Sequence, residues 1–170
     1  MLMTILAIFG LSACKNNSQT DETTTGINPE KETRKMQVIV DTDANNEVDD
    51  QHAMAYLFFN GDHFAVEGVT VNATSSWKGF DVPSTIEGHY DEAKRTMQLC
   101  NVWGRFPLLK GAQASFEEIK DDIDNPEFDG HEAVNFIIEQ AMKERDEKLV
   151  LIPLGKLTNI ALALLKEPAI

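Results

Sequence analysis

The stretch Val38-Ile39-Val40-Asp41-Thr42-Asp43-Ala44-Asn45-Asn46-Glu47-Val48-Asp49-Asp50-Gln51-His52-Ala53 decides how the rest of the chain is read. It grows out of Gln37–Val40, a short apolar run with β-branched residues that predicts a buried strand. Asp50 to Asn60 then carries Ala53, Met54, Leu57 and Phe58 at helical spacing and stops at Gly61, which predicts a helix. Between the two, five carboxylates fall within Asp41–Asp50, and no Lys or Arg occurs from 36 to 77. Crowding of that kind in one strand-to-helix turn is costly by mutual repulsion unless a positive charge offsets it. An all-oxygen donor set favours Ca2+ or Mg2+ over Zn2+. The helix dipole accounts for Asp49 and Asp50 at a helix start but leaves Asp41 and Asp43 unexplained. A divalent cation site is the expectation.

Outward from this stretch, strand and helix patterns alternate. Phe64–Val71 reads as a second strand, and a long helix lies within Ser84–Val102. Phe106–Leu109 reads as a short third strand. Asp129-Gly130-His131-Glu132 has capping-box spacing and predicts a helix running to about Arg145. Leu149–Ile152 reads as another buried strand, and Leu157–Lys166 as a helix halted by Pro168. This order predicts the α/β class, an open, mainly parallel sheet with flanking helices, and ligands in such sheets bind beyond the carboxyl ends of the strands. Cys100 is expected as a small core residue, and Trp77 and Trp103 as core side chains. His52 and His131 fall in helical stretches and are read as surface or internally satisfied histidines.

The N-terminal part has a different character. Met1–Ala13 (MLMTILAIFGLSA) is apolar, ends in small residues and precedes Cys14. It is too short for a bilayer-spanning helix of about 20 residues and suits the apolar region of a secretory signal. Leu11-Ser12-Ala13-Cys14 resembles a bacterial lipoprotein box, whose cysteine becomes the lipidated first residue of the mature chain. The expected organisation is a signal segment over 1–14, a flexible Asn/Ser/Thr/Glu/Lys tether over 15–35 and a folded part over 36–170. The expected location is exported, with a lipid anchor at Cys14 as its only membrane contact. The net charge of −13 lies wholly in 36–170, where 11 basic residues face 24 acidic ones. A surface that negative excludes nucleic-acid binding by phosphate attraction.

Three known patterns compete for the acidic stretch. An EF-hand loop from Asp41 would need Gly where Asn46 stands, a bidentate Glu where His52 stands, and a helix before the loop. A haloacid dehalogenase-type phosphotransferase also places Asp-x-Asp after a first strand, but gives no reason for Asp49-Asp50. The third fits best. Val38–Ala53 resembles the N-terminal signature of the inosine-uridine preferring nucleoside hydrolases, a strand followed by Asp-x-Asp-Pro-Gly-x-Asp-Asp and a helix, with Asp41, Asp43, Asp49 and Asp50 in the acidic positions. Leu151–Pro168 (LIPLGKLTNIALALLKEP) is similar to that family's strand, Gly-x-Leu-Thr-Asn turn and Ala/Leu-rich helix.

This resemblance implies hydrolysis of the N-glycosidic bond of a ribonucleoside or related N-riboside to ribose and base, with a calcium-bound water. By position, Asp43 and Asp50 and the backbone carbonyl of Leu154 become Ca2+ ligands, and Asp43 also the general base. Asp49 becomes a ribose-hydroxyl ligand, Asn72 a pocket residue, and Asp41 a supporting residue that orients the others. A homo-oligomer is the expected assembly. The turn departs from the signature by two extra residues, with Asn45-Asn46-Glu47 where Pro-Gly is usual, and Asn tolerates the left-handed backbone such a turn needs. The family's later substrate and calcium residues have no counterpart before Ile170, so the chain is expected to be the N-terminal part of a longer one. The alternative from another class is a noncatalytic calcium- or sugar-binding lipoprotein of the same fold.

Overall fold

The structure, a computed structural model, describes residues 34–74 and 85–170. The signal segment with Cys14, the tether to residue 33, and Trp77 lie outside the described residues. Four strands, β1 (Met36–Thr42), β2 (Phe64–Val71), β3 (Leu108–Lys110) and β4 (Val150–Pro153), form one sheet in the order β3-β2-β1-β4. Every neighbouring pair is parallel. The helices are α1 (Asp49–Phe59), α2 (Ile86–Leu99), α3 (Phe116–Ile119), α4 (His131–Met142) and α5 (Thr158–Lys166), with a 3-10 turn at Lys120–Asp122.

The sheet divides the core in two. Val40, Val69 and Val71 pack with Met54, Leu57, Ala93 and Met97, which come from α1 and α2. Val134, Ile137, Leu162 and Ala163 of α4 and α5 pack with Phe128 and Ile119. Strand alternation feeds both clusters: Leu151 packs on the second and Ile152, its neighbour, on the first. The central strands β1 and β2 are covered on both faces, which is why they read as continuous apolar runs.

Several boundaries differ from the sequence expectation. β1 runs two residues past Val40, so Asp41 and Thr42 belong to the strand and pair with Thr70 and Val71. Their polar side chains have internal partners, described below, so charge does not end the ladder. β3 starts only at Leu108, because Pro107 has no N–H and contributes just its carbonyl, to Val69 N at 2.9 Å. β4 lies at the end of the sheet order and is half-buried rather than fully buried.

The capping box expected at Asp129–Glu132 does not form. Gly130 caps α4 in the left-handed region at φ 91°, and the Asp129 carboxylate instead accepts from the amides of Gln113 and Ala114 at 3.0 and 2.7 Å. A capping box occurs at Ser115 and Glu118, opening the short α3. α4 stops at Met142, and the Arg145 guanidinium turns back to the Gln140 carbonyl. Trp103 is 45% exposed beneath Lys94 rather than in the core, while Cys100 is a free thiol, half-buried against the first cluster. His52 is exposed, and half-buried His131 bonds the Phe128 carbonyl through Nδ1.

Candidate active site

The carboxyl ends of β1, β2 and β4 converge; β1 and β4 carry residues of the two sequence signatures, and β2 brings Thr70 and leads into Asn72. Asp41 is the knot that joins them. Only 1% exposed, its Oδ1 accepts from Thr70 Oγ1 at 2.6 Å and Asn159 Nδ2 at 2.8 Å, and its Oδ2 from Asn72 Nδ2 at 3.0 Å. Its main-chain carbonyl accepts from Leu154 N at 2.8 Å. Burial pushes the Asp41 carboxyl up to about 6, while the three side-chain donors pull the other way. Asn159 extends the network, its Oδ1 accepting from Ala112 N at 2.9 Å and its Nδ2 also reaching the Val71 carbonyl. A carboxylate so enclosed is unavailable as a nucleophile, which removes the phosphotransferase reading from Asp41.

The turn after β1 is built from its own backbone needs. Thr42 Oγ1 accepts from Ala44 N at 3.0 Å, and the Asp43 carbonyl from Asn46 N at 3.2 Å. Asn45 takes a left-handed φ of 93°, the conformation asparagine bears best among side chains with a Cβ. Asp43 and Asp50 are then buried at 5% and 3% exposure. Their carboxyl groups are hydrogen-bond neighbours, and burial first, then the Asp43 charge, pushes the Asp50 carboxyl upward, with Thr42 partly offsetting this. Asp49 is exposed and its Oδ1 accepts from Asp50 N at 3.2 Å.

Asp43, Asp49, Asp50 and Leu154 line one pocket of about 320 Å3, together with Asn46, Glu47, Thr74, Gly155 and Lys156. Four of the residues picked from the sequence thus meet on one surface. Asn72 does not join them there: fully buried, it sits on Asp41, and its Oδ1 has no hydrogen-bond partner. Lys156 corrects the sequence picture of an acidic turn with no basic neighbour, since the fold brings it to the pocket wall from far along the chain. Among the described residues it makes no ion pair within 4 Å.

Among the described residues no three His, Cys, Asp or Glu side chains gather as a ligand cluster. The reason is visible: the Asp41 carboxylate is consumed by Thr70, Asn72 and Asn159, and Asp49 is turned to solvent. What remains is two buried, touching carboxylates beside a wall formed by Leu154 and Gly155, a hard-oxygen donor set that fits Ca2+ in part.

Sequence reading missed Thr42, Thr70, Asn159 and Gly155 as parts of this site. Thr-Asn in the Gly-Lys-Leu-Thr-Asn turn was visible as a signature, but nothing in it says that Asn159 reaches Asp41 across 118 positions. Gly155 matters for space: a Cβ there would lie 2.5 Å from Asp43 Cγ and Oδ1. Gly155→Ala is therefore expected to displace the Asp43 carboxylate and, where the pocket holds calcium as proposed below, to weaken its binding roughly 10-fold, the scale seen for disturbed ligand-supporting contacts. Calorimetric titration checks it, and unchanged affinity would show that the clash is relieved elsewhere.

The raised carboxyl groups carry a sign for stability. A carboxyl whose folded pKa lies above its unfolded value favours the folded state most below the unfolded value of about 3.8, and that contribution is lost as pH rises through the folded value. The calcium-free protein is expected to lose stability, on the order of 1–3 kcal/mol, between about pH 4 and pH 7. Where the Asp43 and Asp50 pair holds calcium as proposed below, added calcium should restore part of it at neutral pH. Thermal melts with and without chelator measure both, and a melting temperature that climbs over that range would contradict the assignment.

A search among curated proteins finds no match. The family model described as inosine-uridine preferring nucleoside hydrolase matches residues 38–170. That span starts in β1 and runs through the acidic turn, the parallel sheet and the Gly-Lys-Leu-Thr-Asn turn to the last residue of α5 and beyond. The chain belongs to the inosine-uridine preferring nucleoside hydrolase family.

Proposed function

We propose that this site hydrolyses the N-glycosidic bond of a ribonucleoside or related N-riboside, releasing ribose and the base. The observation that carries the reading is the buried contact of Asp43 with Asp50 in the pocket that Leu154 also lines, within a chain of this hydrolase family. Asp43, Asp50 and the Leu154 carbonyl would hold Ca2+. Bound there, the ion supplies a Lewis acid that acidifies water and anchors ribose hydroxyls. Asp43, which lines the pocket, would take the proton from the attacking water as general base. Asp49, on the same wall and exposed, accepts a ribose hydroxyl. Asp41 holds Asn72, Thr70 and Asn159 in register behind the pocket. The transition state is oxocarbenium-like, as in other glycoside cleavage, so the clustered negative charge stabilises it.

A second reading, a noncatalytic calcium- or sugar-binding protein, draws on the turn itself. Asn46 and Glu47, two residues of the departure from the signature, both line the pocket. The full-length gene product separates the two. Release of free ribose from several ribonucleosides supports the hydrolase, and tight ribose binding with no release from any of them supports the binder. The protein is proposed to act outside the cytoplasm, on a lipid anchor at Cys14 and as a homo-oligomer. Incorporation of labelled fatty acid that survives Cys14→Ser would refute the anchor, and a monomer in sedimentation would refute the assembly.

A further inference from the structure

The carbonyl and amide of Ala44, the residue that follows Asp43, are both held by side chains. Thr42 Oγ1 accepts from Ala44 N at 3.0 Å. The Ala44 carbonyl lies 2.7 Å from Nδ1 of His89, a side chain of α2 that is only 2% exposed. The same imidazole receives, at Nε2, the Thr74 amide at 3.4 Å. A carbonyl can only accept and an amide N–H can only donate, so both bonds form together in the neutral imidazole with its proton on Nδ1. Ala44 adjoins Asp43, and Thr74 lines the pocket that Asp43 and Asp50 line. His89 itself does not line that pocket, and the sequence offers it only as one polar residue in an amphipathic helix.

We propose that His89 is a positioning residue: by bridging the Ala44 carbonyl and the Thr74 amide, it ties the acidic turn to the segment after β2 and so sets the placement of Asp43. The proposal rests on the function assigned to Asp43 above. Without the bridge, the buried Ala44 carbonyl is left with no donor, and the turn relaxes around the left-handed Asn45.

The two halves of the bridge can be removed separately. In His89→Asn the side-chain amide lies near the position of Nδ1 and keeps the donor to Ala44. In His89→Gln it lies near Nε2 and keeps only the acceptor for Thr74. His89→Leu keeps the volume and neither bond. Calcium affinity, kcat and thermal melting are measured on the full-length gene product and these variants. His89→Asn is expected to bind calcium within about 3-fold of the unmodified protein, and His89→Gln and His89→Leu roughly 10-fold or more weaker, with kcat falling in parallel. His89→Asn and His89→Gln should melt together, so the split in affinity has no counterpart in stability. Affinity that simply follows melting temperature across the three variants, or equal affinity in the Asn and Gln variants, overturns the proposal. If the unmodified protein binds no calcium, the function assigned to Asp43 fails, and His89 is judged from amide hydrogen exchange. Exchange in Ala44–Asn46 that speeds up in the Gln variant alone then supports the bridge, and equal exchange in both variants refutes it.

Discussion

Asp43→Asn is expected to lower ribose release by the full-length gene product at least about 1000-fold, because it removes the general base and half of the buried anionic pair in a single isosteric step. Calcium affinity should fall with it, since one neutral amide oxygen replaces a carboxylate in a site that offers only two buried ones. The same variant should be more stable than the unmodified protein in chelator at neutral pH. Asp43 and Asp50 are hydrogen-bond neighbours of like charge, and the Asp43 charge raises the cost of ionising Asp50. Relief of that repulsion is expected to raise stability by about 1 kcal/mol. Loss of function joined to gain of stability is the mark of a strained ligand pair, and a purely structural carboxylate would lose both. Ribose assays and chelator melts together read the result.

The largest stability effect is expected at Asp41. Asp41→Ala strands Asn72 Nδ2 in a region closed to water, and leaves Asn159 Nδ2 only the Val71 carbonyl at 3.2 Å and Thr70 Oγ1 only the Val40 carbonyl at 3.5 Å. Each stranded donor costs about 1–3 kcal/mol, and hydroxyl rotation or small shifts recover some of it. A net loss of about 3–5 kcal/mol in denaturant unfolding is expected, placing it among the large single-site effects. Asp41→Asn should lose less, because one oxygen remains, but it turns an N–H toward a donor. A loss below about 1 kcal/mol in the alanine variant would mean that the knot is not what joins β1, β2 and α5.

The parts of the fold that burial writes into composition were legible. β2 was read to its ends, Phe64 and Val71, because Asp62 and His63 before it are polar and its buried half is an unbroken apolar and β-branched run. The end of β1 was not legible, since Asp41 and Thr42 look like a turn until their partners on β2 and α5 are known. The capping signal illustrates the same limit. Asp129–Glu132 and Ser115–Glu118 have the same spacing, and only the second forms a box, because the Asp129 carboxylate is claimed by the Gln113 and Ala114 amides.

Within the site, the first layer was legible and the second was not. Asp43, Asp49 and Asp50 announce themselves by repulsion alone, which needs no tertiary knowledge. Thr70, His89 and Asn159 are neutral side chains whose importance lies in what they touch, at separations of 29, 45 and 118 positions from their partners Asp41, Ala44 and Asp41. Lys156 escaped for the same reason, as charge along the chain and charge around a pocket are different quantities.

The proposal with the widest consequences is that Asp43 and Asp50 hold a calcium ion that serves N-riboside hydrolysis. Its most direct test is the initial rate of ribose release from p-nitrophenyl riboside by the full-length gene product, measured as free calcium is raised from a chelator-buffered baseline. The rate is expected to lie at background without calcium, to rise and saturate with it, and to stay at background in Asp43→Asn. A rate already maximal in chelator, or no release at saturating calcium while the riboside is bound, would contradict it.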